Sequence, residues 1–382
     1  LAAVPTPVPL LQSGEDVTVF ALLGNDVAAR KGGRTDSIVL AAVNTAAKTI
    51  TLLSIPRDLY VAIPGWTMQR INLAYAHSGG GDQEGSHLFK ETVAYNLGLP
   101  VDHTIRAGFD GFRQIVDALG GMEVVVNCPV EDWRLKSADL DPQVEENWEP
   151  FKLNYGIQQM DGELALWYAR SRRGSNDFDR GRRQQKIMNA LGRKAGSSEV
   201  GLQELPALVQ ALWPYVDSDL SAGEALALAA LAPELNEYTV HGLLLPQEAL
   251  RAWRVPGSGE AVQLLDRETA AATLQTFLND PALRAASSAP IRVAIQSDDY
   301  VLYRQAAENL AWLVDEIERN SAATLGADTQ YGERKACFTQ SAGVRRRIDA
   351  IGDQQDPPLL NARVFQQLPG NLQRALQVAA EH

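Results

Sequence analysis

Cysteine is almost absent from this chain, with Cys128 and Cys337 the only two in 382 residues. Two thiols so far apart make neither a metal motif nor a redox pair. Positive charge is also scarce, at a formal net charge of −12. That balance excludes the spread-out basic surface on which general nucleic-acid binding depends. No apolar run reaches the roughly 18 residues of a membrane-spanning helix. What remains is a globular chain with 45% hydrophobic residues, long enough to bury a full core and to divide into domains.

Against this acidic background, residues 170–183 stand apart. Arg170, Arg172, Arg173, Arg180, Arg182 and Arg183 face only Asp177 and Asp179, a local charge of +4. Arginine is always charged, and its planar fork matches phosphate and carboxylate oxygens in pairs. Crowding like charges costs Coulomb energy unless water or an anion screens them. Arg170 and Arg172 end one helical pattern, where cations suit the helix dipole, whereas Arg180, Arg182 and Arg183 open the next, where they oppose it. A bound polyanion resolves that conflict, and helix N-termini accept anions. A solvated basic loop is the plain alternative.

Hydrophobic patterning predicts an α/β fold. Val17–Leu23, Ser37–Val43 and Thr49–Ile55 are short runs with apolar residues on both sides of the pleat, as in strands covered on both faces. Further strands are expected at Asp102–Ala107 and Met122–Val126. Helices are expected from a Ser86 cap to Leu97, over Phe109–Leu119 ending at Gly120-Gly121, from an Asp161 cap to Ala169, and from Arg180 onward. Alternation of the two types favours a sheet between helical layers. Residues 129–156 read as an irregular excursion. Residues 1–15, with Pro5, Pro7 and Pro9, read as a stiff linker. Leu202–Leu212, Ala222–Leu231 and Arg267–Leu278 read as helices.

Chemistry-bearing residues recur at strand ends. Asp26 closes the first strand and Asp36 opens the second, so neighbouring strands bring both carboxylates to one end of the sheet. Magnesium is commonly held by one or two carboxylates, with waters and phosphates completing the octahedron; Asp is equally at home in turns. Pro56 stops the third strand and leaves Arg57 and Asp58 at its end. Arg70 and Asn72 follow, then Tyr75.

Together, Asp26, Arg34-Thr-Asp36-Ser, Ser54-Ile-Pro-Arg57-Asp58, Arg70-Ile-Asn72-x-Ala-Tyr75, Phe109-x-Gly111-Phe112, Asp117-Ala-Leu-Gly120-Gly121, Tyr168-Ala-Arg170-Ser-Arg172 and Asp177-Phe-x-Arg180-x-x-Arg183-Gln184-Gln185 closely resemble the LytR-CpsA-Psr family of bacterial cell-envelope proteins. The resemblance spans roughly residues 16–195, with the motifs in order. It implies an α/β/α sandwich with a central mixed sheet and a hydrophobic tunnel for a polyprenyl tail, followed by a mainly helical C-terminal region. The domain plan it suggests is a catalytic domain over 16–198, a helical extension over 199–289 and a C-terminal region over 290–382. That last region distantly resembles a LytR C-terminal domain.

The implied activity is transfer of a glycopolymer from a polyprenyl-pyrophosphate carrier to a sugar hydroxyl of peptidoglycan, through a phosphodiester. Wall teichoic acid is one usual cargo. A non-catalytic polyprenyl-phosphate binding protein and a polyprenyl-pyrophosphate hydrolase are the alternatives. Carried over by motif, Asp26 and Asp36 would hold Mg²⁺ or Mn²⁺. Arg34, Arg57, Arg70, Arg170, Arg172, Arg180, Arg183 and Gln184 would grip the pyrophosphate. Asp36, Arg57, Arg170, Arg172 and Asp177 would carry the catalytic step. Asp58 reads as a structural partner. The expected location is the extracytoplasmic face of the bacterial cytoplasmic membrane, at the membrane surface, with an anchor upstream and no nucleic-acid partner.

Overall fold

The structure, a computed structural model, describes residues 5–25, 33–78, 82–126, 129–137, 140–173, 177–197 and 205–279. Its centre is a six-stranded mixed sheet. Strands β1 (Val17–Asn25), β2 (Thr35–Asn44) and β3 (Thr49–Ser54) form its middle, with β2 antiparallel to both β1 and β3. His103–Ala107 lies parallel to β1 on the far side and pairs in turn with Val216–Ser218. Thr239–Leu244 closes the other edge, parallel to β3.

Both faces of this sheet are apolar because β1 and β2 alternate two buried sets. Val19, Ala21, Leu23, Ile38 and Leu40 form one core, which also holds Phe89, Val93 and Leu97 of helix α1 (Asp82–Leu97). Leu274, Phe277 and Leu278 from Arg267–Asn279 join that core. Phe20, Val39, Ala41 and Leu52 form the second core, with Met188 from the long arginine-bearing helix and Leu228 packed against it. Each fully buried Val, Leu, Ile or Phe among them contributes about 1.5–3 kcal/mol. The result is the expected α/β/α sandwich.

Helix α2 (Phe109–Ala118) and helix α3 (Gly162–Arg170) cross closely. A Cβ on Gly162 would lie 2.6 Å from the Arg113 carbonyl oxygen, so only glycine admits that approach. Asp117 accepts from Gly162 N at 2.8 Å, and Asp161 caps α3 by accepting from Leu164 N at 2.8 Å. Helix α4 (Asp177–Ala195) follows and lies over β2, β3 and Thr239–Leu244.

Three elements differ from the sequence reading. Residues 129–156 contain a hairpin, Val130–Leu135 with Trp148–Leu153. Its alternation was hidden by charges on the exposed positions. Helix α1 begins before Ser86, whose hydroxyl donates to Asp219 Oδ2 at 2.9 Å rather than capping a helix. Residues 205–279, expected as a helical extension, carry two strands of the central sheet and the further pair Leu250–Arg254 and Ala261–Leu265. The central sheet therefore draws on chain beyond residue 198. Two short segments, Val125–Val130 and Leu153–Gln158, fall outside this contact unit and carry no site residue. Cys128, Cys337 and the elements expected beyond residue 290 lie outside the described residues.

Candidate anion-binding cleft

Register decides where the polar residues meet. Val39 pairs with Ser54, and Leu244 also pairs with Ser54, so the start of β2 and the ends of β3 and Thr239–Leu244 share one end of the sheet. Pro56 then turns the chain, and Arg57 Nη1 donates to Asp36 Oδ1 at 2.9 Å. Asn72 Nδ2 donates to the same oxygen at 3.2 Å. The backbone repeats the join: Asn72 N donates to the Arg57 carbonyl at 3.3 Å, and Thr35 Oγ1 to the Asn72 carbonyl at 3.4 Å. Three remote motifs are thereby stitched around one carboxylate.

Helix α4 supplies the opposite wall. It opens with Asp177 and Asp179, which suit a helix N-terminus and sit beside the following arginines. Arg180 Nη1 lies 2.7 Å from Asp177 Oδ1, and Arg182 Nη1 donates to Asp179 Oδ1 at 3.3 Å. The clash between arginines and helix dipole is thus smaller than the sequence suggested. Gly181 lets α4 approach the sheet, since a Cβ there would meet Leu244 at 3.2 Å and Ser54 at 3.3 Å. Gln185 locks the approach by donating to Ser54 Oγ at 2.9 Å and to the Leu243 carbonyl at 2.7 Å.

Between these walls lies an open cleft of about 430 Å³. Asp36, Asp177, Arg180 and Gln184 give it a polar part, and Ile38, Ile55, Phe178, Leu244 and Leu245 an apolar part. Arg180 is only 6% exposed, and its Nη1 makes no aligned hydrogen bond. Burial holds its pKa below the ordinary arginine value. Arg172 and Arg57 push the same way, against Asp177 and Asp36. It stays a cation, because arginine does not deprotonate in proteins. A nearly dry guanidinium repelled by two others is a place where an anion gains strongly.

The remaining expected residues divide by placement. Arg34 is exposed just before β2, and Arg172 is exposed after α3. Arg170 lies over the Phe109 ring at 4.0 Å. Arg70 is not among the residues that line the cleft: its Nε is 3.3 Å from Asp58 Oδ1, its Nη1 3.7 Å from Glu260, and its Nη2 donates to the Ala261 carbonyl at 3.0 Å. Arg183 is buried and donates Nε to the Tyr168 carbonyl at 3.0 Å and Nη2 to the Ser171 carbonyl. Asp58, 3.5 Å from Arg57 Nε, is the structural partner expected. Asp26 lies outside the described residues.

Sequence reasoning missed Leu244, Leu245 and Gln263 of the lining. The three consecutive leucines at 243–245 were the available signal. Asn72 stood inside a motif but received no role. No signal could mark Asp132, which accepts from the backbone amides of Arg172 and Arg173 at 2.7 and 3.2 Å.

Comparison with known proteins agrees with this fold. The sequence model of the LytR_cpsA_psr family matches residues 6–277. The polyisoprenyl-teichoic acid–peptidoglycan teichoic acid transferase TagT of Bacillus subtilis is 33% identical over 224 residues, covering 56% of this chain and 64% of that protein. The probable cell wall biosynthesis protein LcpB of Corynebacterium glutamicum is 38% identical over 160 residues, covering 42% and 34%. The chain thus spans less than two thirds of the length of either relative. Among solved structures, TagT bound to LI-WTA superposes with a TM-score of 0.51 at 28% identity, covering 73% of this chain and 98% of that one.

Proposed function

The chain belongs to the LytR-CpsA-Psr family, and from that premise we propose that it transfers a glycopolymer from a polyprenyl-diphosphate carrier to a sugar hydroxyl of peptidoglycan. One observation carries the reading: a single cleft joins the nearly buried Arg180 to the apolar wall of Ile38, Ile55, Leu244 and Leu245. Such a surface suits a ligand that is doubly anionic at one end and hydrocarbon at the other. The names of the relatives support the same donor and acceptor classes.

The transfer is a phosphoryl displacement, dominated by positioning and electrostatic stabilisation. The acceptor oxygen bonds to the phosphorus nearest the glycan as that phosphorus parts from the bridging oxygen. The electron pair leaves on polyprenyl phosphate, and the hydroxyl proton passes to a cleft carboxylate, which we assign to Asp177. Arg180, with Arg57 and Arg172 beside it, stabilises charge arriving on the leaving oxygen. Gln184 orients a phosphate oxygen. Arg34 and Arg170 complete the cationic mouth.

The donor set suits a hard divalent cation. Asn25, directly before Asp26, is 0% exposed, and neither polar atom of its side chain has a hydrogen-bond partner. No group of three or more His, Cys, Asp or Glu gathers among the described residues, which fits an ion that completes its shell with substrate phosphates and water. In this reading Asp36 and Asp26 hold Mg²⁺ or Mn²⁺. When bound, such an ion neutralises phosphate oxygens. No helix among the described residues is long and apolar enough to cross a membrane. We place the site at the extracytoplasmic membrane surface, because the donor's tail resides in the bilayer.

The test is incubation of the protein with a polyprenyl-diphosphate-linked glycan and purified peptidoglycan, with and without Mg²⁺. The expected result is glycan covalently attached to peptidoglycan and stoichiometric release of polyprenyl phosphate. Release at an undiminished rate without peptidoglycan identifies a hydrolase instead. Binding without release identifies a carrier-binding protein.

A further inference from the structure

The end of α3 and the segment after it carry Arg170, Arg172 and Arg173, and their main chain is gripped by two side chains from elsewhere. Arg183 of α4 donates to the carbonyls of Tyr168 and Ser171. Asp132 of the hairpin accepts, through Oδ2, the consecutive amides of Arg172 at 2.7 Å and Arg173 at 3.2 Å. Ser171 N adds a bond to the Trp167 carbonyl at 2.9 Å. We propose that Asp132 and Arg183 are positioning residues that clamp this backbone from its amide and carbonyl sides and so hold Arg172 toward the cleft before any ligand arrives. This rests on the diphosphate reading of the cleft.

Electrostatics shows why a clamp is needed. Arg172 lies close enough to Arg180 for its charge to disfavour the Arg180 cation, and Arg57 acts alike. An exposed arginine on a free loop would relax by swinging into water, and binding would then have to reorder it. Consecutive amides form a concavity that favours an anion, and Asp132 is that anion here. The rigid fork of Arg183 reaches two carbonyls at once, which a lysine cannot imitate. Burial raises the neighbouring Tyr168 hydroxyl pKa to about 12, with Arg183 opposing, so that ring stays neutral beside it.

The hairpin that presents Asp132 is anchored independently. Trp167 Nε1 donates to the Trp133 carbonyl at 2.9 Å, and Phe151 packs edge-on against Trp167 with ring centroids 4.9 Å apart. Arg134 lies over Phe151 at 3.9 Å and donates to Glu149 at 2.8 Å. Asp132 Oδ1 also accepts from Trp133 N at 2.8 Å, so truncating Asp132 removes that hairpin bond along with the two loop amides, while the Trp167, Phe151 and Arg134 contacts that anchor the hairpin remain.

The experiment compares wild type, Asp132→Ala, Asp132→Asn and Arg183→Lys. Titration calorimetry reads affinity for geranylgeranyl diphosphate, hydrogen exchange reads the amides of residues 171–173, and thermal unfolding is a control. Asp132→Ala is expected to bind about 10-fold more weakly, because the released Arg172 must then be ordered on binding, with faster exchange at Arg172 and Arg173 and a cooperative thermal transition retained. Asp132→Asn, which keeps one acceptor, should recover to within about 3-fold of wild type. Arg183→Lys should loosen the same amides. Wild-type affinity and wild-type exchange in Asp132→Ala would overturn the clamp, as would faster exchange with unchanged affinity. Failure of the wild type to bind the diphosphate at all would overturn the reading of the cleft, while the exchange data would still decide whether the loop is clamped.

Discussion

At Asp219, one carboxylate collects Lys90 Nζ at 2.6 Å, Ser86 Oγ at 2.9 Å and Thr104 N at 2.8 Å, so both oxygens are occupied. At Arg180, the cation meets Asp177 without an aligned bond, and two further arginines press on it. The first cluster joins α1 to the sheet and is complete within the protein. The second is incomplete, and its incompleteness opens on a cleft. Charge clustering alone does not mark a site; charge left unmatched at a low-dielectric wall does.

The contrast can be broken at either cluster. Arg180→Ala removes the buried cation that lines the cleft and should weaken diphosphate binding about 100-fold, as expected for losing charge-assisted bonds in a buried setting; calorimetry with geranylgeranyl diphosphate reads it. Gln185→Ala leaves Ser54 Oγ and the Leu243 carbonyl unsatisfied. It should cost about 1–3 kcal/mol of stability by denaturant unfolding, with α4 loosened from the sheet. Arg70→Met should change diphosphate affinity by at most about 3-fold, because its head serves Asp58, Glu260 and Ala261 at the surface.

The matched cluster predicts a pH effect of smaller size. Burial raises the Asp219 pKa, but hydrogen bonds from Lys90, Thr104 and Ser86 outweigh it and hold the carboxyl below its ordinary value. A depressed folded-state pKa means stabilisation that is complete above the unfolded value of about 3.9 and is lost as pH falls through the folded value. Asp219→Asn should therefore melt lower than wild type near neutrality, with the gap closing below about pH 4. A gap constant with pH would show that Asp219 contributes by packing alone.

Much of the fold was legible because β1, β2 and β3 bury both faces, which writes continuous apolar runs into the sequence. The edge strands were not. Val216–Ser218 has three residues, and Thr239–Leu244 pairs on one side only, so neither needed a strong pattern. Within the site, the family resemblance implied a shared role for Asp36, Arg57 and Arg180; in the structure Arg57 bonds Asp36, and Asp36 and Arg180 line one cleft. The resemblance did not distinguish Arg183 from Arg180, three residues apart on one helix, because their difference lies in what each faces: carbonyls for one and the cleft for the other. Asp132 was invisible, since it acts on main-chain amides that any residue would offer.

The most direct test of the central claim is a crystal structure of the protein with geranylgeranyl diphosphate bound. The account predicts the phosphates against Arg180, Arg57 and Asp36, with the prenyl chain along Ile38, Ile55, Leu244 and Leu245. A diphosphate bound elsewhere, or a cleft left empty at saturating ligand, would contradict it.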